Sequence, residues 1–155
     1  MNGEQLRKKT SSGGIVYGTM LSTGRNPRWS QAISAFGLDY VIIDTEHAPR
    51  SRAEVADFLA AFTYSGVVPI VRIPIPASHY VTMYLDAGAQ GVLAPYCETV
   101  DQVKEVVAAA RWRPLKGALA DRVIETGELP SEATRASERS PVIPCRSAAR
   151  RCARP

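Results

Sequence analysis

Short apolar runs alternate with amphipathic stretches over the first 111 residues of the chain. The runs predict four buried strands, at residues 14–21, 39–44, 67–73 and 91–94. Apolar residues at helical spacing follow each run and predict four helices. A strand followed by a helix, four times at intervals of about 25 residues, is typical of parallel βαβ architecture.

Capping signals mark where these helices begin. Ser51-x-x-Glu54 and Thr99-x-x-Gln102 are capping boxes, and Asn26-Pro27 predicts the start of the first helix. Each helix is predicted to bury one apolar stripe. The four stripes are Trp29, Ile33 and Phe36; Val55, Phe58, Leu59 and Phe62; Val81, Tyr84 and Leu85; and Val103, Val106, Val107 and Ala110.

Two architectures can hold four such units, a (β/α)₈ barrel of the TIM type and an open doubly wound sheet. No glycine-rich phosphate loop follows the first strand, since Ser22-Thr23-Gly24 is too short. A full barrel typically needs about 250 residues. We therefore predict an α/β chain with about the first four to five units of a TIM-type barrel. Pro69 is unusual inside a predicted strand.

The chain divides into three segments by composition. Residues 1–12 are a polar N-terminal segment, residues 13–135 the partial barrel, and residues 136–155 a tail rich in arginine, proline and alanine. Residues 113–135 are predicted to be a long loop with at most a short helix after Ser131. The tail has no helical or strand period, which suggests disorder or translation in a shifted frame. Resequencing the gene would contradict the frameshift hypothesis if no insertion or deletion restored a longer frame.

The formal net charge of +4 belongs to the tail. From Arg135 onward there are six arginines and one acid, so residues 1–134 carry a charge of −1. The body therefore shows no basic face, and we expect no nucleic-acid partner. No apolar run approaches the ~18 residues of a membrane span. Three scattered cysteines form no disulfide framework, and a cytoplasmic location is expected.

The candidate chemistry follows the second and third strands. Asp44, Glu46 and His47 lie at the end of one strand, where α/β proteins usually keep functional groups. An aspartate beside a histidine can fix its tautomer for general-base catalysis. The alternative is that Asp44 helps to start the next helix while His47 is a surface loop residue.

Arg72 is the one charged residue in the apolar third strand. A half-buried guanidinium needs an anion, which is either a substrate or a structural partner such as Asp44 or Glu46. Asp44, Glu46 and His47 could supply only part of a metal coordination sphere. His79 is predicted to be a surface residue, and Cys97 a loop residue without an activating neighbour.

Five blocks of sequence carry a resemblance to a known family. They are GTM at residues 18–20, DYVIIDTEHAP at 39–49, PIVRIP at 69–74, LDAGAQGVLAP at 85–95 and RWRPLKG at 111–117. In this order and spacing the chain resembles the HpcH/HpaI aldolases, pyruvate aldolases related to the citrate lyase β subunit. The resemblance covers roughly residues 14–135.

The resemblance implies a (β/α)₈ barrel that cleaves or forms a carbon–carbon bond beside a pyruvate unit. It implies a divalent metal (Mg, Mn or Co) that binds pyruvate and stabilises its enolate. His47 matches the family's general base, Asp44 its orienting partner, and Arg72 the residue that holds the keto oxygen. Glu46 and Asp86 are further substrate-binding candidates, Asp86 matching an aspartate near the family's active site. The implied partners are a small 2-oxo acid and an aldehyde, and the family's assembly is a homo-oligomer.

One departure from the family pattern qualifies these expectations. The family's metal ligands, a Glu and an Asp in segments resembling I-E-T and G-P-x-D-L, do not occur after Arg113. We therefore assign no metal ligand and expect little or no aldol turnover from this polypeptide alone, a truncated or frameshifted aldolase. If turnover were found, the first substitute ligands to test would be Glu98, Asp121 and Glu125. The alternative function is a non-catalytic binding or assembly module that acts through the basic tail.

Overall fold

The structure is a computed structural model that describes residues 1–111 and residue 125. Four strands alternate with helices in this part of the chain. The strands are β1 (Gly18–Leu21), β2 (Tyr40–Asp44), β3 (Val68–Arg72) and β4 (Gly91–Leu93). The helices are α1 (Gly3–Ser11), α2 (Trp29–Ala35), α3 (Arg52–Thr63), α4 (Ser78–Asp86) and α5 (Val100–Arg111).

The four strands form one parallel sheet in the order β1-β2-β3-β4. Each strand pairs with the next strand along the chain, and the order contains no reversal. A doubly wound sheet reverses its strand order at the switch point, whereas a barrel adds each new strand on the same side. The sequential order therefore confirms the prediction of barrel-type β/α units.

Side chains alternate between the two faces of the sheet, and each face has its own core. The larger core lies between the sheet and helices α2 to α5, and includes Val41, Ile43, Val71 and Phe58. On the opposite face, which would be the inside of a barrel, Val68 and Ile70 pack with residues of the neighbouring strands. Because the side chains of a strand alternate between its two faces, those of Asp44 and Arg72 also lie on this inner face.

The N-terminal helix α1 covers the inner face near the ends where the strands begin. Its one large apolar side chain, Leu6, is 1% exposed and packs against Val68 and Ile70. Lys9 forms an ion pair with Asp39 at 3.1 Å, directly before β2. The sequence analysis predicts only a polar segment here, because a single apolar residue makes no stripe. A capping box formed by Asn2 and Gln5 starts the helix.

Two predicted apolar stripes are wrong in part. Trp29 and Phe36 of the α2 stripe are exposed, Phe36 at 78%, and only Ile33 is buried. Val103 of the α5 stripe is also exposed, and alanines 108–110 take part in the burial instead. The helix α2 begins at Trp29, two residues later than predicted. The Asn26 side chain accepts a hydrogen bond from the Arg28 N–H, as a cap does, and a turn at Pro27 and Arg28 leads into the helix.

Pro69 lies inside β3 without removing a hydrogen bond from the ladder. Its carbonyl accepts from the Gln90 N–H at 2.9 Å, on the β4 side of the strand. Because the N–H and C=O of one strand residue point the same way, the missing N–H also faces β4. That strand begins only at Gly91, which lies opposite Ile70. The proline therefore sits where no partner strand is present.

Other predictions agree with the structure or fall outside it. The capping boxes at Ser51 and Thr99 are both formed. Among residues 1–111 and 125, no helix is long and apolar enough to cross a membrane. The predicted loop at residues 113–135, except residue 125, and the tail at 136–155 lie outside the described residues. The division into three segments therefore stays a prediction.

Candidate active site

The candidate site lies where β2 and β3 end side by side. Asp44 is the last residue of β2 and Arg72 the last residue of β3, and the two are direct partners in the sheet register. Parallel strands present their C-terminal ends at one edge, so both side chains project from the inner face at the same level. Asp44, His47 and Arg72, which follow the second and third strands in the sequence, all line one cleft.

A two-pronged ion pair joins Arg72 to Asp44. Arg72 Nε donates to Asp44 Oδ1 at 2.8 Å, and Nη2 donates to Oδ2 at 2.7 Å. Asp44 is 1% exposed, whereas the Arg72 side chain is 19% exposed. A fork of two parallel hydrogen bonds fixes the plane of the guanidinium as well as its position. The guanidinium is therefore held rigidly with one edge toward the cleft.

Glu46 connects this pair to His47. Its Oε2 lies 3.1 Å from Arg72 Nη1, and its Oε1 lies 3.6 Å from His47 Nε2. The Glu46 side chain is buried, while that of His47 is 63% exposed. The carboxylate nearest to the imidazole is thus Glu46. Asp44 contacts His47 through the backbone, and its role as orienting partner of the ring stays a prediction.

Backbone hydrogen bonds hold the loop after β2 in place. Asp44 Oδ1 accepts from the N–H groups of Glu46, at 3.0 Å, and His47, at 3.4 Å. Thr45 donates through both its hydroxyl, at 2.6 Å, and its N–H, at 3.1 Å, to the carbonyl of Arg72. The Asp44 side chain therefore fixes the loop after its own strand, and Thr45 ties that loop to the end of β3.

Burial and hydrogen bonding shift the pKa of Asp44 in opposite directions. Burial favours the neutral carboxyl, but hydrogen bonds from Arg72 and from two backbone N–H groups outweigh it, so the pKa of Asp44 lies below its usual value. The hydrogen bonds that Arg72 donates to Asp44 raise the pKa of Arg72, while the partial burial of Arg72 acts to lower it. Both groups are charged at neutral pH.

The cleft beside these residues has a volume of about 460 Å³. Besides Asp44, His47 and Arg72, its lining includes hydroxyl groups from the end of β1 and two further arginines, Arg25 and Arg50. No motif in the sequence singles out Arg50. The available signal is its position directly after the Asp44–Pro49 cluster, which by itself is equally typical of a helix start.

The structure does not bring Asp86 to this site within one chain. Asp86 ends α4, and the chain then enters β4 at Gly91. It therefore lies at the edge where the strands begin, opposite to Asp44. Its assignment to substrate binding stays a prediction. His79 is exposed on the first turn of α4, as expected of a surface residue, with its ring centroid 4.1 Å from that of Tyr80.

The described residues do not make up a metal centre. Among residues 1–111 and 125, no three His, Cys, Asp or Glu side chains are arranged to hold a metal ion. Both oxygens of Asp44 and one of Glu46 contact Arg72, which leaves one oxygen of Glu46 and the His47 ring. A hard divalent cation such as Mg²⁺ is held by one or two free carboxylates, and water and substrate oxygens complete its ligands. The donor set of this part of the chain does not suit the implied metal.

Comparison with known proteins agrees with the fold. Residues 19–124 match the sequence profile of the HpcH/HpaI aldolase/citrate lyase family. This stretch contains β2, β3, β4, all of β1 except Gly18, and the whole cluster from Asp44 to Arg72. The chain belongs to the HpcH/HpaI aldolase/citrate lyase family.

Individual relatives cover much of this chain. A hydroxypyruvate/pyruvate aldolase of Roseobacter denitrificans is 32% identical over 109 residues, which are 70% of this chain and 42% of that protein. A 4-hydroxy-2-oxovalerate aldolase of Rhodococcus jostii is 29% identical over 141 residues, 89% of this chain and 54% of that protein.

A solved structure shows the same architecture. The crystal structure of an HpcH/HpaI aldolase from Desulfitobacterium hafniense matches with a TM-score of 0.71 and 28% identity, over 90% of this chain and 55% of that one. The chain thus spans about half, or less, of the length of the relatives it matches.

Proposed function

We propose that this chain forms the anion-binding and general-base part of a carbon–carbon lyase site that acts on 2-oxo acids. The carrying observation is the Arg72 guanidinium, which Asp44 and Glu46 fix at the edge of a cleft that also contains His47. Family membership supports an aldolase-type lyase. The names of the relatives support pyruvate as one product and 4-hydroxy-2-oxo acids as the substrate class.

The geometry suits the stabilisation of an oxyanion. A guanidinium has five N–H donors, and the hydrogen bonds to Asp44 use two of them, one on Nε and one on Nη2. Nη1 also lies 3.1 Å from Glu46 Oε2, and the other donors of Nη1 and Nη2 can serve a ligand oxygen. In an aldol cleavage the keto oxygen of the pyruvate half gains negative charge as the enolate forms. A fixed, positively charged donor pair stabilises that charge more than it stabilises the neutral ketone.

His47 is placed to move the proton. In the cleavage direction, a base takes the proton of the hydroxyl at C4, the C3–C4 bond breaks, and its electron pair passes into the enolate. The enolate carbon then takes up a proton to give pyruvate. The exposed imidazole beside Glu46 can accept and return a proton in this cleft. The reverse process includes loss of a C3 proton from pyruvate.

Exchange of the pyruvate methyl protons for deuterium tests this assignment. Exchange needs proton transfer at His47 and the donors of Arg72 but no carbon–carbon cleavage, so we expect it even where the missing metal ligands prevent aldol turnover. We expect the purified chain to accelerate the exchange over buffer, and His47→Gln to reduce the acceleration by about 10²-fold or more, because general-base catalysis contributes about 10²–10⁴-fold. The methyl signal in proton NMR reports the rate, in parallel samples with and without magnesium or manganese. His79→Gln removes the exposed imidazole on α4 and is expected to leave the rate unchanged. Equal rates for the wild type and His47→Gln would contradict the role of His47.

A further inference from the structure

Arg50 is the guanidinium of this cleft that has no carboxylate partner among the described residues. Arg72 is paired with Asp44 and Glu46, and Arg25 with Glu54 at 3.0 Å. Arg50 Nη2 donates to the carbonyl of Leu21 at 3.3 Å, which is a neutral acceptor at the end of β1. Its charge is therefore not balanced by any ion pair in this part of the chain.

Two nitrogens of Arg50 also lack hydrogen-bond acceptors. Nε and Nη1 are both buried, and neither has a partner. The guanidinium carbon lies 4.9 Å from the centre of the Phe58 ring, so a cation–π contact holds the group in place. Aromatic contact attracts the charge but does not replace an acceptor in the guanidinium plane. Unsatisfied buried donors are uncommon in folded proteins, and a bound water or ion is one explanation for them.

Charge at this position persists under ordinary conditions. Burial lowers the pKa of Arg50, and the nearby Glu54 carboxylate acts against this shift. A guanidinium nevertheless stays protonated in proteins. A fixed positive charge at a cleft wall attracts an oxyanion, because charge-assisted hydrogen bonds are stronger than neutral ones.

The strand order places Arg50 on the other side of the site from Arg72. β2 lies between β1 and β3, so Asp44 and His47 stand between the two arginines. If the pyruvate half lies on Arg72 beside β3, the part of the cleft toward β1 is the space that remains for the other half of the substrate. There the cleft is lined by the exposed residues Ser22 and Thr23 and by Arg50.

We propose that Arg50, with the hydroxyl groups of Ser22 and Thr23, forms a subsite for the anionic end of the aldehyde half of the substrate. This inference rests on the proposed function, because the aldehyde half is defined by cleavage beside a pyruvate unit. The group bound is a carboxylate or a phosphate, either of which supplies oxygens for the unpaired donors. The substrate class is then an aldehyde that carries a terminal acid group.

NMR titration of the purified chain with inorganic phosphate and with acetate tests the subsite. Oxamate at saturating concentration occupies the 2-oxo acid position, so that the added anion reports on the remainder of the cleft. We expect Arg50→Met to weaken binding of the preferred anion by about tenfold to a hundredfold, as for loss of a charged hydrogen-bond partner. Arg52→Met removes the same charge from an exposed position two residues away and should leave the affinity unchanged.

The two anions distinguish the possible sources. Stronger binding of phosphate supports a phosphorylated aldehyde, and stronger binding of acetate supports an aldehyde acid. Thr23→Val removes the hydroxyl group of an exposed side chain without changing its shape, and it should weaken anion binding severalfold. It is the second test variant if Arg50→Met does not fold. Failure of both anions to bind the wild type, or equal affinities in wild type and variants, would overturn the subsite and leave solvent as its occupant.

Failure of the proposed subsite can be distinguished from failure of the proposed function. Anion binding needs neither His47 nor proton transfer at C3. Binding that depends on Arg50 in a chain that does not exchange pyruvate protons would retain an anion site and contradict the lyase assignment. Exchange that depends on His47, with anion binding indifferent to Arg50, would contradict only the subsite.

Discussion

Asp44→Asn is expected to lower the free energy of unfolding by about 3–5 kcal/mol, the range for breaking a buried ion pair by removing one partner. Asp44 is 1% exposed and accepts both hydrogen bonds of the Arg72 fork. The amide has nearly the same shape, so the change removes charge and one acceptor without opening a cavity. Arg72 is then left half-buried with Glu46 alone. Urea denaturation followed by circular dichroism measures the difference.

Asp57→Asn is the matched control, because Asp57 is exposed on α3. Surface substitutions of this kind usually change stability by less than about 0.5 kcal/mol. A loss below about 1 kcal/mol for Asp44→Asn, equal to that of the control, would show that the pair does not hold the ends of β2 and β3 together.

The pH dependence of this difference provides a second measurement of the same prediction. The folded-state pKa of Asp44 lies below its value in the unfolded chain, about 3.9. Its contribution is therefore fully present above that pH and is lost as the pH falls through the folded pKa. The gap between wild type and Asp44→Asn should narrow below about pH 4. Other carboxyl groups with lowered pKa values, such as Asp39, are common to both proteins and cancel.

Arg72→Lys is expected to weaken oxamate binding by about tenfold to a hundredfold. Oxamate has the shape and charge of pyruvate and places a carbonyl oxygen where the enolate oxygen forms. Lysine keeps the positive charge opposite Asp44 and Glu46, but its single ammonium cannot hold both carboxylates and present two further donors in a plane. Calorimetric titration measures the affinity, and thermal unfolding checks that the variant is folded.

Arg28→Lys makes the same substitution at an exposed position before α2 and should leave oxamate affinity unchanged. If Arg72→Lys bound oxamate as tightly as the wild type, the guanidinium would be a structural partner of Asp44 and Glu46 only. That result would support the alternative interpretation of Arg72 as part of a structural ion pair.

The β/α order could be predicted because each strand and most helices have local signals. β2 is a run of apolar residues that ends in Asp44, and the capping box at Ser51 fixes the start of α3. Helix α1 could not be predicted in this way. Its apolar contact with the inner face of the sheet comes from one residue, Leu6, and its partners Val68 and Ile70 lie far along the chain.

Tertiary contacts also decide the details of the site. The sequence places Asp44, Glu46 and Arg72 at neighbouring strand ends, since parallel strands end at one edge. It does not say which carboxylate receives the guanidinium fork, because both lie within reach. The position of Arg50 depends on its contacts with the Phe58 ring and the Leu21 carbonyl. The sequence around Arg50 does not indicate either contact.

A crystal structure of the chain with oxamate tests the central claim most directly. The account predicts that an oxamate oxygen lies within about 3.2 Å of Nη1 or Nη2 of Arg72. It also predicts that the ion pairs to Asp44 and Glu46 remain intact and that His47 faces the ligand. Oxamate bound away from the ends of β2 and β3, or an Arg72 side chain turned out of the cleft, would contradict it.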